Sequence, residues 1–300
     1  MPIRIKIKAY AKINLGLRVL RQREDGYHEI LSLMQTIGLA DELELILEEE
    51  RGEKPVMVEI EPPLLEAEGE ANLVHRAAVM FLDMAEPALR PPVRIRLRKR
   101  IPVGAGLGGG SSDAAATLAG LDRLLKLELP QDRLAGLAAE LGSDIPFFLE
   151  GGTCLVRGRG EWVERLPPLP RYHLVLLLPP FSLPTAEVYR KFDDLDVDSG
   201  REDEETLWAR PLQPPAGHLR NDLEEAALAL RPELKEYRLF LERTGPAFFG
   251  MSGSGPAWFA GFTERERERA SILAEKAASS LPGQVILTET NDQGYEIELD

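Results

Sequence analysis

Cysteine and histidine are scarce in this sequence, and their scarcity excludes several kinds of site. The single cysteine, Cys154, rules out an internal disulfide and a cysteine-cluster metal site, and it fits a reducing compartment. The four histidines are scattered and form neither an HExxH motif nor a zinc-binding spacing. No structural zinc site is therefore expected.

Positive charge and long apolar runs are scarce as well. Thirty-six lysines and arginines stand against 50 aspartates and glutamates, which gives a net charge of −14. Nucleic acids and anionic membranes bind basic surfaces, so neither is expected as a partner. No apolar run reaches the ~20 residues of a membrane-spanning helix, and no signal peptide is recognisable. These features predict a soluble, cytoplasmic protein.

The sequence is rich in glycine at one place, the segment IPVGAGLGGGSSDAAAT at residues 101–117. Five glycines fall within Gly104–Gly110. The segment before it, Val93–Arg100, alternates apolar residues with arginines and predicts a half-buried strand. Asp113–Leu125 is rich in alanine and leucine at helical spacing. The predicted order is therefore strand, glycine loop, helix.

This order is typical of a loop that binds phosphate. Glycines permit positive φ angles and close approach of a ligand, and successive amides can converge on an anion. The start of the following helix adds unpaired N–H donors and a positive dipole end. Ser111 and Ser112 can cap that helix or offer hydroxyls to phosphate or Mg²⁺. A flexible turn with a capping serine is the structural alternative.

The loop fits neither of two common phosphate-binding motifs. A Walker A loop ends in Gly-Lys-Ser/Thr, and no lysine is present here. Gly104, Gly106 and Gly109 match G-x-G-x-x-G formally. A dinucleotide fold, however, needs a buried parallel strand before the loop and an acidic residue ending a second strand. Here the preceding strand alternates with arginine and the downstream region is still helical, so both motifs are rejected.

Two further segments carry candidate functional residues. Residues 3–19 alternate apolar and polar side chains and predict one or two antiparallel strands, with Lys12 and Asn14 on the polar face. Asp144 precedes Ile145-Pro146, a position typical of a helix N-cap, although one carboxylate oxygen can cap while the other faces a ligand. From the residues alone, a structural role stays open for Lys12 and Asp144.

Composition also suggests how the chain is divided. The prolines within residues 167–170 indicate a linker, so we place one domain at residues 1–166 and a second at residues 167–300. The second half alternates strands and helices, which predicts an α+β fold. The acidic stretch Asp193–Glu205 has few apolar side chains and predicts a solvated, mobile loop with no chemistry.

Several separated motifs together resemble the GHMP kinase superfamily, small-molecule kinases whose glycine-rich loop is distinct from Walker A. The resemblance covers nearly the whole chain. Its motifs are AKINLGLRVL (Ala11–Leu20), DGYHE (Asp25–Glu29), ANLVHRAA (Ala71–Ala78), PVGAGLGGGSSDAAAT (Pro102–Thr117), GSDIPFF (Gly142–Phe148), NDLE (Asn221–Glu224) and MSGSGP (Met251–Pro256). AKINL with DGYH is most similar to the branch that phosphorylates a cytidylylated methylerythritol in non-mevalonate isoprenoid biosynthesis.

The resemblance implies an α+β fold, with a ribosomal-protein-S5-like N-terminal domain and a ferredoxin-like C-terminal domain. It also implies transfer of phosphate from ATP, with Mg²⁺, to the tertiary 2-hydroxyl of the cytidylylated substrate. Two rival functions stay open. One is a kinase for another small alcohol such as homoserine or mevalonate, and the other is a nucleotide-binding module without catalysis. Nothing in the sequence indicates the oligomeric state.

Site residues follow from the resemblance position by position. Lys12 and Asp144 would be catalytic, with Asp144 as base or orienter of the hydroxyl. The ATP phosphates would be held by Pro102, Val103, Gly104, Ala105, Gly106, Leu107, Gly108, Gly109, Gly110, Ser111 and Ser112. Ala105 departs from the glycine often found there, and we expect little effect. The substrate site would contain Asn14, Tyr27, His28 and Thr185, with Tyr27 stacking on the base and His28 reading the cytosine edge. The Mg²⁺ ligands are unassigned; Ser111, Ser112 and Asp144 are candidates, as is a shell of water.

Overall fold

The computed structural model describes residues 3–48, 55–62, 69–84, 91–195 and 216–299. Its strands are β1 (Arg4–Gln22), β2 (His28–Leu47), β3 (Val56–Glu61), β4 (Val93–Arg98), β5 (Thr153–Gly158), β6 (Trp162–Arg165), β7 (Tyr172–Leu178), β8 (Gly217–His218), β9 (Phe248–Met251), β10 (Trp258–Thr263), β11 (Gln284–Glu289) and β12 (Tyr295–Leu299). Its α-helices are α1 (Leu73–Met84), α2 (Gly109–Leu125), α3 (Gln131–Leu141), α4 (Ile145–Glu150), α5 (Thr185–Asp194), α6 (Glu224–Leu230), α7 (Leu234–Thr244) and α8 (Arg267–Ser280).

The N-terminal sheet is built on the long antiparallel pair β1 and β2. Among the described residues, seven strands form this sheet, in the order β12-β1-β2-β4-β3, with β5 also on β2 and β6 on β5. The first half of β2 pairs with β5 and the second half with β4. Strand β12, from the far end of the chain, pairs antiparallel with β1. The alternation predicted for residues 3–19 is confirmed as one strand.

In the part of the chain that the structure describes, a second sheet has five strands in the order β11-β7-β10-β9-β8. Helices α1 to α4 pack on one face of the N-terminal sheet, in a core that contains Phe81, Phe147 and Phe148. Helices α5 to α8 pack on the outer face of the second sheet, around Trp258. A third apolar cluster joins side chains of both sheets, such as Ile13 and Phe259. The two sheets therefore face each other between two layers of helices.

The predicted order strand, glycine loop, helix is confirmed, but helix α2 begins at Gly109 and not at Asp113. The C-terminal helix α7 was not predicted, because its sequence LKEYRLFLERT is mostly polar. Most of the acidic stretch Asp193–Glu205 lies outside the described residues. Asp193 itself forms part of the last turn of α5 and is not in a loop. Among the described residues, no helix is long and apolar enough to cross a membrane.

Candidate active site

A cleft of about 930 Å³ lies where the glycine loop meets β1, α4 and α5. The predicted site residues that line it are Lys12, Asn14, Tyr27, His28, Pro102, Val103, Gly104, Ala105, Gly106, Leu107, Gly108, Gly109, Gly110, Ser111, Asp144 and Thr185. The structure thus brings together residues from five separated parts of the sequence. Ser112 is the predicted site residue that does not line the cleft.

The glycine loop needs glycine for its backbone geometry. Gly104, Gly106 and Gly108 all have positive φ angles, between 68° and 79°. A Cβ atom on Gly106 would lie 2.3 Å from the carbonyl oxygen of Ser252, and one on Gly108 would lie 2.7 Å from the ring of Phe148. Side chains are therefore excluded by the fold on which the loop rests, before any ligand is considered.

The carbonyl groups of the loop are bonded to the rest of the protein. The amide of Ala257 donates to Ala105, the hydroxyl of Ser252 to Gly106, and the amide of Lys12 to Leu107. By contrast, the first three amides of α2, those of residues 109–111, have no acceptor among the described residues. They line the cleft together with the positive end of the α2 dipole, which suits an anion.

Ser112 does not fit the predicted phosphate-binding role. Its side chain is fully buried, and its hydroxyl donates to the carbonyl of Tyr10 at 2.7 Å. Its amide donates to Gly108 as part of the first turn of α2. Because the helix begins at Gly109, neither Ser111 nor Ser112 caps it, and Gly108 occupies the cap position. Ser111 is the serine of this pair that lines the cleft.

Lys12 runs through the centre of the site beneath two glycines. A Cβ on Gly108 would lie 3.1 Å from its Cγ, and one on Gly253 would lie 3.2 Å from its Nζ. Its ammonium group donates to Oδ1 of Asn14 at 2.6 Å and lies 3.8 Å from Oδ2 of Asp144. Burial lowers the pKa of Lys12, and the charge of Asp144 opposes that shift. Asn14 is fixed in turn by donating to Ser32.

Asp144 occupies the N-cap position of α4, as predicted, but its side chain makes no capping hydrogen bond. Its backbone is helical, with φ −84° and ψ −10°, whereas a capping residue ordinarily has an extended conformation. The side chain is 34% exposed in the cleft and faces Lys12. The carboxylate is therefore available to a ligand, and the helix does not depend on it.

Tyr27 and His28 lie together at the other end of the cleft. The ring of Tyr27 is half exposed, and the guanidinium group of Arg159 lies 5.3 Å from its centroid. His28 is nearly buried, and its Nε2 lies 2.7 Å from Oδ1 of Asp193. The ring of Tyr189 stacks on His28 with a centroid distance of 4.8 Å. This end of the cleft thus presents aromatic faces and one imidazole.

Two side chains that sequence reasoning missed, Arg159 and Tyr189, also line this end of the cleft. Tyr189 lies one helical turn after Thr185, and this i, i+4 spacing is the signal that could have found it. Burial, with a smaller contribution from Asp144, raises the pKa of Tyr189, which keeps its hydroxyl neutral. Arg159 lies in the turn between β5 and β6, where its sequence context carries no signal. Thr185 itself hydrogen-bonds Ser254 at 3.0 Å.

A buried charge cluster that sequence reasoning also missed supports the glycine loop from behind. Lys99 forms ion pairs with Asp41 and with Asp113, and Asp41 also accepts the amides of Arg100 and Ile101. Burial raises the pKa of Asp113 to about 7; Lys99 lowers it and Asp41 raises it. Oδ1 of Asp113 is buried and has no partner among the described residues. Lys99 and Asp113 both line the cleft.

Comparison with known proteins gives three findings. The model of the GHMP kinases N terminal domain matches residues 72–152. Over 294 residues, the chain is 40% identical to 4-diphosphocytidyl-2-C-methyl-D-erythritol kinase from Heliobacterium modesticaldum, with 90% of each chain covered. A solved structure of 4-(cytidine 5'-diphospho)-2C-methyl-D-erythritol kinase is 38% identical and has a TM-score of 0.76, covering 95% of this chain and 99% of that one.

A more distant structure bears on the fold alone. Homoserine kinase from Cytophaga hutchinsonii is 20% identical, with a TM-score of 0.69 and coverage of 98% of this chain and 97% of that one. An architecture shared at this identity does not distinguish one alcohol substrate from another.

Proposed function

Because the chain belongs to the 4-diphosphocytidyl-2-C-methyl-D-erythritol kinases of the GHMP family, we propose that its cleft performs their reaction with the residues described above. ATP phosphorylates the 2-hydroxyl of the cytidylylated methylerythritol. The observation that carries the residue assignment is the Lys12–Asp144 pair, held at 3.8 Å beside the glycine loop. A cytoplasmic location, where ATP is available, fits this activity.

The glycine loop would bind the ATP phosphates through its backbone. The free amides of residues 109–111 and the positive end of α2 supply donors to an anion. The positive φ angles of Gly106 and Gly108, which glycine adopts readily, give the loop the shape in which these donors would meet the phosphates. Lys12 adds a cationic group beside the loop. Because the whole chain carries a net charge of −14, which repels an anionic nucleotide, such a local positive charge is needed.

Asp144 would act on the acceptor hydroxyl. Phosphoryl transfer depends mainly on positioning and on charge stabilisation, so a carboxylate that holds the hydroxyl and accepts its proton suits the reaction. Lys12, whose ammonium group lies 3.8 Å from the Asp144 carboxylate, would stabilise charge on the transferring group. Asn14 holds the ammonium group of Lys12 in place. The three side chains form one connected unit, so we expect their mutational effects to be non-additive.

The far end of the cleft would bind the cytidine part of the acceptor. Tyr27 offers its half-exposed ring for stacking, and the guanidinium group of Arg159 lies 5.3 Å from the centroid of that ring. His28 and Tyr189 form the adjoining wall, and Thr185 lies nearby on α5. A pyrimidine bound there would leave its polyol chain extending toward Asp144.

Mg²⁺ would arrive with the phosphates of ATP and neutralise part of their charge. No group of three metal-ligating side chains is present within the described ranges, which fits an ion held chiefly by phosphates and water. Of the three side chains predicted as candidate ligands, Ser111 and Asp144 line the cleft. Ser112 drops out of the three candidates, because its hydroxyl is committed to Tyr10.

The direct test is ³¹P NMR of enzyme, ATP and Mg²⁺ with each of three acceptors: the cytidylylated methylerythritol, homoserine and mevalonate. We expect a new phosphomonoester resonance with the first acceptor alone. Turnover of homoserine or mevalonate instead would assign another acceptor to the same fold. ATP binding without any new resonance would mean that the module does not catalyse transfer.

A further inference from the structure

We infer that Asp193 is a positioning residue that fixes the proton of His28 on Nε2 and thereby selects cytosine over uracil in the acceptor. This inference rests on the proposed function, since it concerns the base that the acceptor carries. It assigns a role to the first residue of an acidic stretch for which the sequence suggested none. The contact that carries it is the 2.7 Å separation of His28 Nε2 and Asp193 Oδ1.

The hydrogen bond between His28 and Asp193 can have its hydrogen on one atom only. An ionised carboxylate accepts hydrogen bonds and cannot donate them, so Nε2 of His28 must carry the hydrogen. In the neutral imidazole, Nδ1 is then left as an acceptor. No described residue donates to Nδ1, and His28 lines the cleft. The imidazole therefore offers an acceptor to whatever binds there.

The ring is also held in one orientation. Tyr189 stacks on it at 4.8 Å with an interplanar angle of 28°, and Phe192 meets it edge-on at 6.4 Å. Both rings and Asp193 belong to the last turns of α5. One helix thus supplies the carboxylate that sets the proton and the aromatic rings that set the plane. A flip of the imidazole about its Cβ–Cγ bond would keep its plane but would break the contact between Nε2 and Asp193.

An acceptor atom at this position discriminates between the two pyrimidines. Cytosine has an exocyclic amino group, which donates hydrogen bonds, where uracil has a carbonyl oxygen, which only accepts them. A carbonyl placed opposite Nδ1 would leave two acceptors facing each other in a partly desolvated site. Discrimination against a ligand that leaves buried polar groups unpaired is stronger than the discrimination that apolar contacts provide.

The test compares Asp193→Ala with Asp194→Ala, the neighbouring exposed carboxylate on the same helix. Steady-state constants are measured at pH 8 with the cytidylylated acceptor and with its uridine counterpart. For Asp193→Ala we expect a roughly tenfold higher KM for the cytidine acceptor and a roughly tenfold lower cytidine-to-uridine ratio of kcat/KM. The values of kcat and of KM for ATP should stay within about twofold. Asp194→Ala should behave as the wild type.

A second measurement reads the proton directly and does not depend on catalysis. Long-range ¹H–¹⁵N correlation spectra at pH 8 should show His28 protonated on Nε2 in the wild type and as a mixture of tautomers in Asp193→Ala. A wild-type ring protonated on Nδ1, or an unchanged base preference in Asp193→Ala, would overturn the inference. If no cytidylylated acceptor is turned over at all, the proposed function fails, whereas the tautomer measurement still decides whether Asp193 sets the proton.

Discussion

At the scale of single residues, the geometry separates two roles for Asp144 that the sequence left open. It occupies the N-cap position, yet its carboxylate makes no bond to the helix and faces Lys12 across 3.8 Å. A cap that carries no hydrogen bond contributes little to stability. The position that looked structural is therefore free for chemistry.

Replacing Asp144 by Asn should leave stability nearly unchanged and slow phosphoryl transfer by roughly 10²-fold or more, because a proton acceptor is lost. Lys12→Ala should also slow transfer, and the double variant should be little slower than the slower single variant. Single-turnover rates and thermal melting of all three variants provide the measurement. Wild-type turnover in Asp144→Asn would show that its carboxylate is not needed.

Tyr27→Ala should weaken binding of the acceptor without affecting ATP. The half-exposed ring contributes little to the core, so the melting temperature should hold. Loss of a stacking contact of ~1–3 kcal/mol should raise the acceptor KM by roughly 5- to 150-fold. Trp162→Ala, an exposed aromatic on β6 outside the cleft, is the matched control and should change neither constant. An effect on ATP alone would place Tyr27 in the wrong half of the site.

Some residues of the candidate site could be found in the sequence and others could not. Lys12, Asp144 and the glycines stand in long motifs, so their approximate position followed from the motif. Arg159 and Asp41 reach the site through tertiary contacts, and nothing in their neighbouring residues indicates this. Ser112 stands in a motif but lies outside the cleft. Neighbouring residues of a helix point in different directions, so Ser111 faces the cleft whereas the hydroxyl of Ser112 donates to the carbonyl of Tyr10.

At the scale of elements, the two glycine-serine loops form one assembly. The loop Met251–Pro256 holds the first loop through the Ser252–Gly106 hydrogen bond, and Asn221 in turn donates to the carbonyls of Met251 and Gly253. The shape of the phosphate loop is thus set by a distant part of the chain. A substitution that displaces one loop should therefore also change the backbone of the other.

Gly106→Ala should lower ATP affinity by at least about tenfold and reduce stability, because its φ of 79° and the nearby Ser252 carbonyl exclude a methyl group. Gly136→Ala is the matched control, since Gly136 is exposed on α3 and nothing lies within 4 Å of its would-be Cβ. That change should stabilise the protein by ~0.4–1 kcal/mol. Calorimetric ATP titration and thermal melting measure both effects, and unchanged ATP binding in Gly106→Ala would contradict the loop assignment.

Periodicity and turn residues predicted most elements because burial on one face leaves a regular pattern. The hairpin of β5 and β6, helix α3 and strands β7, β9, β10 and β11 of the second sheet follow from such patterns, whereas the two-residue strand β8 was not predicted. Helix α7 was not predicted, since only a narrow side of it, with Leu234, Tyr237 and Leu241, is buried. The α+β fold expected from the resemblance is confirmed by the family and by the structural match.

At the scale of the whole molecule, the buried cluster of Asp41, Lys99 and Asp113 should make stability depend on pH. Burial keeps a proton on Asp113 up to about pH 7 in the folded protein, against an ordinary pKa of 3.8. Between these values the folded state binds more protons than the unfolded state, so this group lowers stability as pH rises. Well above pH 7, Asp113 is ionised in both the folded and the unfolded state, and stability no longer changes with pH through this group.

Asp113→Asn removes this titration. The stability of the variant relative to the wild type should therefore increase from pH 5 to pH 8. Urea denaturation of both proteins across that range gives the difference at each pH, and other titrating groups cancel in the comparison. A difference that is constant with pH would mean that Asp113 is already ionised in the folded protein at pH 5.

The order of the strands in space could not be predicted, because it depends on pairings between distant segments. Pairing of β12 with β1 is the extreme case, and neither strand carries a signal for the other. The predicted division at residues 1–166 and 167–300 stays a prediction. Strand β12 belongs by sequence to the second part and pairs in the first sheet.

That pairing has a consequence during synthesis. Lys8 and Glu296, which bond across β1 and β12, are 288 positions apart. At ~5–20 residues per second, a ribosome needs roughly 15–60 s to reach β12 after making β1. For that time one edge of β1 has no partner and is open to pairing with other nascent chains. Lys6 and Lys8 lie two residues apart on this strand, and their charges would repel the same strand of a second chain. The lysines that pair with glutamates of β12 in the finished protein thus oppose aggregation before β12 is made.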